Sequence, residues 1–220
     1  MSYDIIKKYG KTATGLVESA MEHVKLLEDL NFTKIKISVK SSSVPLTIQA
    51  YRLLAKKNDY PFHLGVTESG TEFSGTIKSS IGIGTLISEG IGDTIRVSLT
   101  EDPVREVLAA KSILNSLDQR KGLEIISCPT CGRTEIPLIT LTKEVEKRLS
   151  FYEDQDITVA VMGCAVNGPG EAEDADYGIA GGKNEGLIFK KGKIIKKVPA
   201  SKLVEALLEI IEKDLYDYHI

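Results

Sequence analysis

Extended apolar segments alternate with helical patterns through the first half of the chain, and successive strands begin about thirty residues apart, the spacing of strand–helix–strand units with parallel strands. The periodicity predicts a helix from Thr12 to Leu30 and a strand from Lys34 to Val39, in which Ile35, Ile37 and Val39 alternate with polar residues. A helix over about Pro45 to Lys57 follows, then a strand at Phe62 to Val66, a helix from about Thr76 to Glu89 and a strand at Thr94 to Ser98. Asp102-Pro103 opens a further helix running to about Leu117, since an acidic residue and a proline both suit a first turn. The first half is therefore expected to be α/β.

Beyond Leu117 the pattern changes. Glu124 to Ser127 and Ile157 to Met162 read as strands, Thr142 to Leu149 as a helix, and Gly178 to Gly186, with four glycines among nine residues, as a loop. Leu187 to Val198 reads as a hairpin turning at Lys191-Gly192. Ser201 reads as the cap of a closing amphipathic helix with Leu203, Val204, Leu207, Leu208 and Ile211 on its apolar face. This half is expected to be a compact α+β unit. The polar run Asp118-Gln119-Arg120-Lys121-Gly122 marks the boundary, which gives domains of residues 1–118 and 119–220.

Where polar residues fall in the repeat bears on function. Lys40 lies just past the first strand, Glu68 just past the second, and Arg96 and Ser98 at the end of the third. Catalytic groups of parallel α/β folds gather at the carboxyl ends of the strands, so these four would converge on one mouth. A lysine and an arginine there suit a phosphate or diphosphate, which arginine grips with two parallel hydrogen bonds. Polar residues also resurface at strand ends for no functional reason, so it is the coincidence of four on one edge that makes them candidates. The run Ile81-Gly82-Ile83-Gly84 is not a nucleotide fingerprint, because Ile87 stands in place of the third glycine and the run lies inside a helical pattern.

Cys128, Cys131 and Cys164 are the only cysteines, and the last opens the run Cys164-Ala165-Val166-Asn167-Gly168-Pro169-Gly170-Glu171. Three soft thiolates with one hard carboxylate suit an iron–sulphur cluster with one replaceable position. A Cys128–Cys131 disulfide is disfavoured, because nothing at the N-terminus resembles a secretion signal and cytosolic thiols stay reduced. Zinc remains open, since Cys-x-x-Cys is a common half-site. Against it, His23, His63 and His219 have no ligand spacing from any cysteine. The glycines after Cys164 favour the cluster, as they permit close backbone approach to a bulky inorganic core.

The composition excludes several classes. With 28 basic and 31 acidic residues the net charge is -3, which gives no broad attraction to nucleic acid or to an anionic membrane. Tryptophan is absent and aromatic residues are few, against a base-stacking surface. Lys190-Lys191-Gly192-Lys193 with Lys196-Lys197 reads as a solvated hairpin. No apolar run reaches the length of a membrane span, so a soluble, cytoplasmic protein is expected.

The stretches Cys128-Pro129-Thr130-Cys131-Gly132-Arg133, Gly163 to Glu171 and Ser88-Glu89-Gly90-Ile91-Gly92-Asp93-Thr94-Ile95-Arg96-Val97-Ser98 closely resemble the 4-hydroxy-3-methylbut-2-en-1-yl diphosphate synthase family of the methylerythritol phosphate route to isoprenoids. The resemblance covers essentially the whole chain. It implies a TIM barrel followed by an iron–sulphur domain with a mixed sheet, and a [4Fe-4S] cluster bound by residues matching Cys128, Cys131, Cys164 and Glu171. It also implies reductive ring opening of 2-C-methyl-D-erythritol 2,4-cyclodiphosphate with electrons from flavodoxin or ferredoxin. Glu68 matches the barrel's acid–base residue, Lys40, Arg96 and Ser98 match part of the diphosphate cradle, and Asn167 matches a polar residue close to cluster and substrate. In this family the barrel of one subunit faces the cluster domain of another, so a homodimer is implied. A complete barrel needs eight strands, and here three strand–helix units precede the cysteines, so a partial barrel is expected and the chain alone is expected to be inactive or nearly so. The truncation leaves two accounts, a piece of the synthase or one half of a split enzyme. A non-catalytic zinc or cluster module stands as the alternative function.

Overall fold

Side-chain caps set the starts of four helices in the first half, by accepting amides that have no partner in a first turn. Ser2 accepts from Ile5 N (3.4 Å) and begins α1 (Tyr3–Tyr9), and Thr12 accepts from Gly15 N (3.1 Å) and begins α2 (Ala13–Asp29). Ser43 accepts from Leu46 N (3.4 Å) at the start of α3 (Val44–Leu54), whereas α4 (Glu72–Ser88) follows Thr71 without such a bond. Asp102 accepts from Val104 N (2.8 Å) at the start of α5 (Pro103–Asn115). Two short parallel strands, β1 (His63–Leu64) and β2 (Thr94–Ile95), pair His63 with Thr94 and Leu64 with Ile95. These elements make up the unit Met1–Arg120 of a computed structural model that describes residues 1–165 and 168–217.

One face of the extended segments carries the core of this unit. Ile35, Ile37, Val39, Phe62, Leu64 and Val97 are buried and cluster with Tyr51, Leu54, Ile83 and Leu86 from the helices. Truncating one such fully buried leucine to alanine costs about 2–5 kcal/mol.

The expected strand at 34–39 is reduced to a single parallel bridge between Ile37 and Phe62. The ladder begins normally, with Ile37 N donating to Pro61 O (2.9 Å) and His63 N to Ile37 O (2.8 Å). At the next rung the Tyr51 hydroxyl intervenes: it accepts from Val39 N (3.1 Å) and donates to the His63 carbonyl. A side chain from α3 thus stands in for a backbone bond and spreads the two segments. The strands expected at 62–66 and 94–98 are likewise only two residues long, although Arg96 N still donates to Leu64 O (3.0 Å). Helix α4 starts at Glu72 rather than near Thr76, and the periodicity does not show α1, because about two turns carry little of it.

The second unit, Lys121–Ile220, is built on a five-stranded mixed sheet in order β3-β4-β5-β6-β7. Its elements are β3 (Glu124–Ser127), α6 (Leu138–Leu149), β4 (Thr158–Met162), α7 (Gly168–Glu171), β5 (Tyr177–Ala180), β6 (Glu185–Lys190), β7 (Lys193–Pro199) and α8 (Leu203–Asp217). β3, β4 and β5 run parallel, and β5–β6 and β6–β7 are antiparallel. Alternation along the strands sends Val159, Val161, Ile179 and Ile188 into one core with Val145 and Leu149 of α6 and Leu203, Leu207 and Ile211 of α8. Ala160, Met162, Ala180 and Phe189 point into a second cluster with Ala172 and Ala175.

Three expectations change here. The stretch expected to be a loop from Gly178 contains most of β5, and a Cβ at Gly178 would lie 2.2 Å from Phe189 Cζ, so this glycine makes room for a buried ring on the neighbouring strand. Helix α6 begins at Leu138, four residues before Thr142, and α8 emerges from a 3-10 turn at Ala200–Lys202 rather than from a Ser201 cap. The hairpin turns at Lys191 (φ 47°) and Gly192 (φ 70°), a left-handed pair whose twist matches the flanking strands. Among the described residues no helix is long and apolar enough to cross a membrane.

Candidate functional site

In the first unit the face opposite the core is polar. Ser38, His63 and Thr94 come from the three neighbouring segments at one level, with Ser38 Oγ donating to His63 O (2.8 Å) and His63 Nδ1 2.8 Å from Thr94 Oγ1. Lys40, Gly65 and Arg96 come one level nearer the carboxyl ends. A Cβ at Gly65 would sit 2.7 Å from the Arg96 carbonyl oxygen and 3.1 Å from Lys40 Cε. The missing side chain lets the lysine stem cross β1 toward the arginine-bearing segment. Arg96 Nε in turn donates to Ser98 Oγ (3.3 Å).

The electrostatics follow from this crowding of cations. Burial, and then the Arg96 guanidinium, hold the Lys40 ammonium below its ordinary value. Burial, then Lys40, Lys36 and Arg96, hold the His63 imidazole below its ordinary 6.5. Neighbouring positive groups that disfavour each other's charge create a place where an anion relieves both. Glu68 is exposed, and its backbone is left-handed (φ 53°). Lys40, Arg96 and Ser98 thus lie on adjacent segments of one face, with Glu68 in the loop that follows β1.

In the second unit β3 and β4 are parallel neighbours with Ser127 opposite Val161, so the residues that follow them leave the same end of the sheet. Cys128 directly follows β3, and its Sγ accepts from Gly163 N (3.2 Å), the residue before Cys164. The two cysteine-bearing loops are laced further. Thr134 Oγ1 accepts from Cys131 N (3.1 Å), Thr134 N donates to Cys131 O (3.1 Å), and Glu135 N donates to Gly163 O (3.0 Å). Cys131 is exposed, and its thiol is held below the ordinary value chiefly by a backbone amide at Arg133, with the Thr134 hydroxyl adding a smaller effect. All three cysteines are free thiols. A cleft of about 360 Å³ beside Cys128 is lined by Ser127, Thr130, Leu138, Ile139 and Lys143.

Glu171 closes the four-residue helix α7 and is exposed, while Asn167 lies outside the described residues. Among the described residues no three His, Cys, Asp or Glu side chains gather as a metal-binding group. Sequence reasoning missed Gly65, Thr134 and the Gly163 amide. Close backbone approach to sulphur is expected at the glycines after Cys164, whereas the amide that meets Cys128 Sγ is that of Gly163, before it.

A parallel α/β unit with a cationic strand-end face is thus followed by a mixed-sheet unit with cysteines at its strand ends. Residues 1–111 match the GcpE TIM-barrel domain and residues 124–213 the GcpE protein C-terminal domain, so the chain belongs to the GcpE family. Similar curated proteins are called 4-hydroxy-3-methylbut-2-en-1-yl diphosphate synthase (flavodoxin). That of Clostridium perfringens is 62% identical over 96% of this chain and 61% of its own length. That of Geobacter sulfurreducens is 56% identical over 98% and 62%, and that of Caldanaerobacter subterraneus 60% identical over 96% and 59%. The chain therefore spans about three-fifths of the length of the curated relatives it matches.

Proposed function

We propose that this chain supplies the closing strand–helix units of a TIM barrel and an iron–sulphur domain to an enzyme that reductively opens 2-C-methyl-D-erythritol 2,4-cyclodiphosphate to 4-hydroxy-3-methylbut-2-enyl diphosphate. The observation that carries the reading is the lacing of the two cysteine loops at one end of a parallel strand pair, with Gly163 N donating to Cys128 Sγ. Cys128, Cys131 and Cys164 would hold a [4Fe-4S] cluster through sulphur, and Glu171 through oxygen. The donor set fits, because amide donation to Cys128 and the lowered Cys131 thiol both favour thiolates. When bound, such a cluster supplies electrons one at a time and one Lewis-acidic iron.

The chain's own residues do the rest. Lys40 and Arg96 bind the diphosphate as adjacent cations, and Ser98 orients the guanidinium through its hydroxyl. Glu68 carries the proton to the oxygen that leaves as water, and Asn167 contributes a polar contact close by. Two electrons come from a flavodoxin or ferredoxin. The remaining barrel strands come from further chain or from a separate polypeptide, and a homodimer in the cytoplasm is the assembly that completes the site.

Turnover tests this. Joined to the remaining part of the Clostridium perfringens relative and given dithionite with the cyclic diphosphate, the protein is expected to release product, and this chain alone is not. Glu68→Gln in the joined protein is expected to lose at least about 10²-fold in kcat, the usual contribution of a positioned acid–base group. Undiminished turnover by that variant, or ring opening by this chain unaided, overturns the proposal. A zinc module would show neither turnover nor any response to Glu171→Ala, which under the proposal loses iron.

A further inference from the structure

Four non-glycine residues among those described have a left-handed backbone, and three of them sit where that conformation is routine. Asn31 and Asp118 follow the ends of α2 and α5, and Lys191 lies beside Gly192 in the β6–β7 turn. Glu68 (φ 53°) belongs to neither class, since it follows β1 in a loop that leads to α4. Glutamate also lacks the short side chain that eases asparagine or aspartate into this region. Its neighbours must therefore impose the conformation.

The loop is fastened on both sides of the residue. Thr67 N donates to Ser41 O (3.2 Å), and the carbonyl of Gly70 accepts from Thr100 N (2.9 Å). Between these two backbone ties lies a side-chain tie: the hydroxyl of Ser69, which is only 1% exposed, donates to the carbonyl of Ser98. The carbonyl belongs to the segment that bears Arg96, whose Nε donates to the hydroxyl of the same Ser98. Too deeply buried to meet a ligand, Ser69 acts only through what it holds.

We propose that Ser69 is a positioning residue whose buried hydroxyl, fastened to the Ser98 carbonyl, locks the adjacent Glu68 in its left-handed conformation against the segment that carries Arg96 and Ser98. A backbone held in a sparsely populated region at a functional residue stores strain that the surroundings must over-determine. The clamp stands on geometry alone. Its consequence for turnover rests on the proposed acid–base role of Glu68.

The test uses the full chain, labelled with ¹³C and ¹⁵N, and a cycle of substitutions read by thermal unfolding and by the Glu68 backbone resonances. Glu68→Gly is expected to raise the unfolding midpoint by about 2–4 °C, because glycine relieves the left-handed strain. In a Ser69→Ala background that gain is expected to vanish and the Glu68 Cα and Cβ shifts to leave their left-handed positions, while Ser69→Thr restores both. An equal gain in both backgrounds with unmoved resonances, or no gain in the parent, overturns the clamp. Should Ser69→Ala fail to fold, Ser69→Cys keeps the volume with a weaker donor: a reduced gain supports the clamp and an undiminished one overturns it. Normal turnover by Glu68→Gln in the joined protein would leave the clamp standing and remove the acid–base reading instead.

Discussion

In the second unit five strands share continuous ladders and bury side chains on both faces, whereas in the first unit three extended segments share a few rungs and bury one face only. The opposite face of the first unit presents Lys36, Ser38, Thr94 and Arg96 to solvent. Parallel sheets are ordinarily covered on both sides, so a polar, uncovered face sets the first unit apart. Large apolar side chains of the first unit are also exposed elsewhere on its surface, among them Leu26, Leu30 and Phe32 around the end of α2 and Phe73 on α4. The second unit is held together by its own sheet, while the geometry of the first depends on its helices and on single side chains such as Tyr51.

The largest expected effect follows directly. Expressed separately, residues 121–220 are expected to unfold in one cooperative transition, and residues 1–120 to associate, because an unpaired segment edge and uncovered apolar surface recruit partners. Light scattering and thermal unfolding of the two pieces check this, and a monomeric, cooperative 1–120 would erase the contrast. Next in size, Ile179→Ala in the covered sheet is expected to lose about 2–5 kcal/mol in denaturant unfolding. Tyr51→Phe sharpens the contrast from the other side. It removes the hydroxyl that bridges Val39 N to His63 O and is expected to cost about 1–3 kcal/mol, by leaving the buried Val39 amide unpaired. A neutral outcome would mean that the ladder closes by itself.

The smallest effect is a pH dependence. His63 has a folded value below its ordinary 6.5, so the unfolded chain binds more protons as pH drops through that value. Stability from this group is present above about pH 6.5 and is lost as pH falls toward the folded value. His63→Asn is expected to flatten the dependence of the unfolding midpoint below about pH 6.5, and an unchanged slope would exclude the histidine as its source.

Much of this was legible in the chain. Alternation at Ile35, Ile37 and Val39 fixed which face is buried in the first unit, because a period of two registers directly as burial. Lys40, Arg96 and Ser98 were legible as residues at or just past the strand ends. What escaped is long-range. The Tyr51 hydroxyl between two segments, the Phe189 ring over Gly178 and the Gly65 gap beneath Lys40 each depend on a neighbour distant in sequence. Glycine reads as a turn locally, and only the partner across the sheet reveals it as space.

Under the proposed function, cysteines from two loops of one parallel pair, with Glu171, hold a single iron–sulphur cluster. Iron and sulphide analysis of the anaerobically reconstituted chain, with Cys164→Ser beside it, addresses this most directly. About four irons and four sulphides per parent chain with broad visible absorption, and collapse of both in the Cys164→Ser variant, are the expected result. One zinc per colourless chain, or iron content indifferent to Cys164, would contradict it.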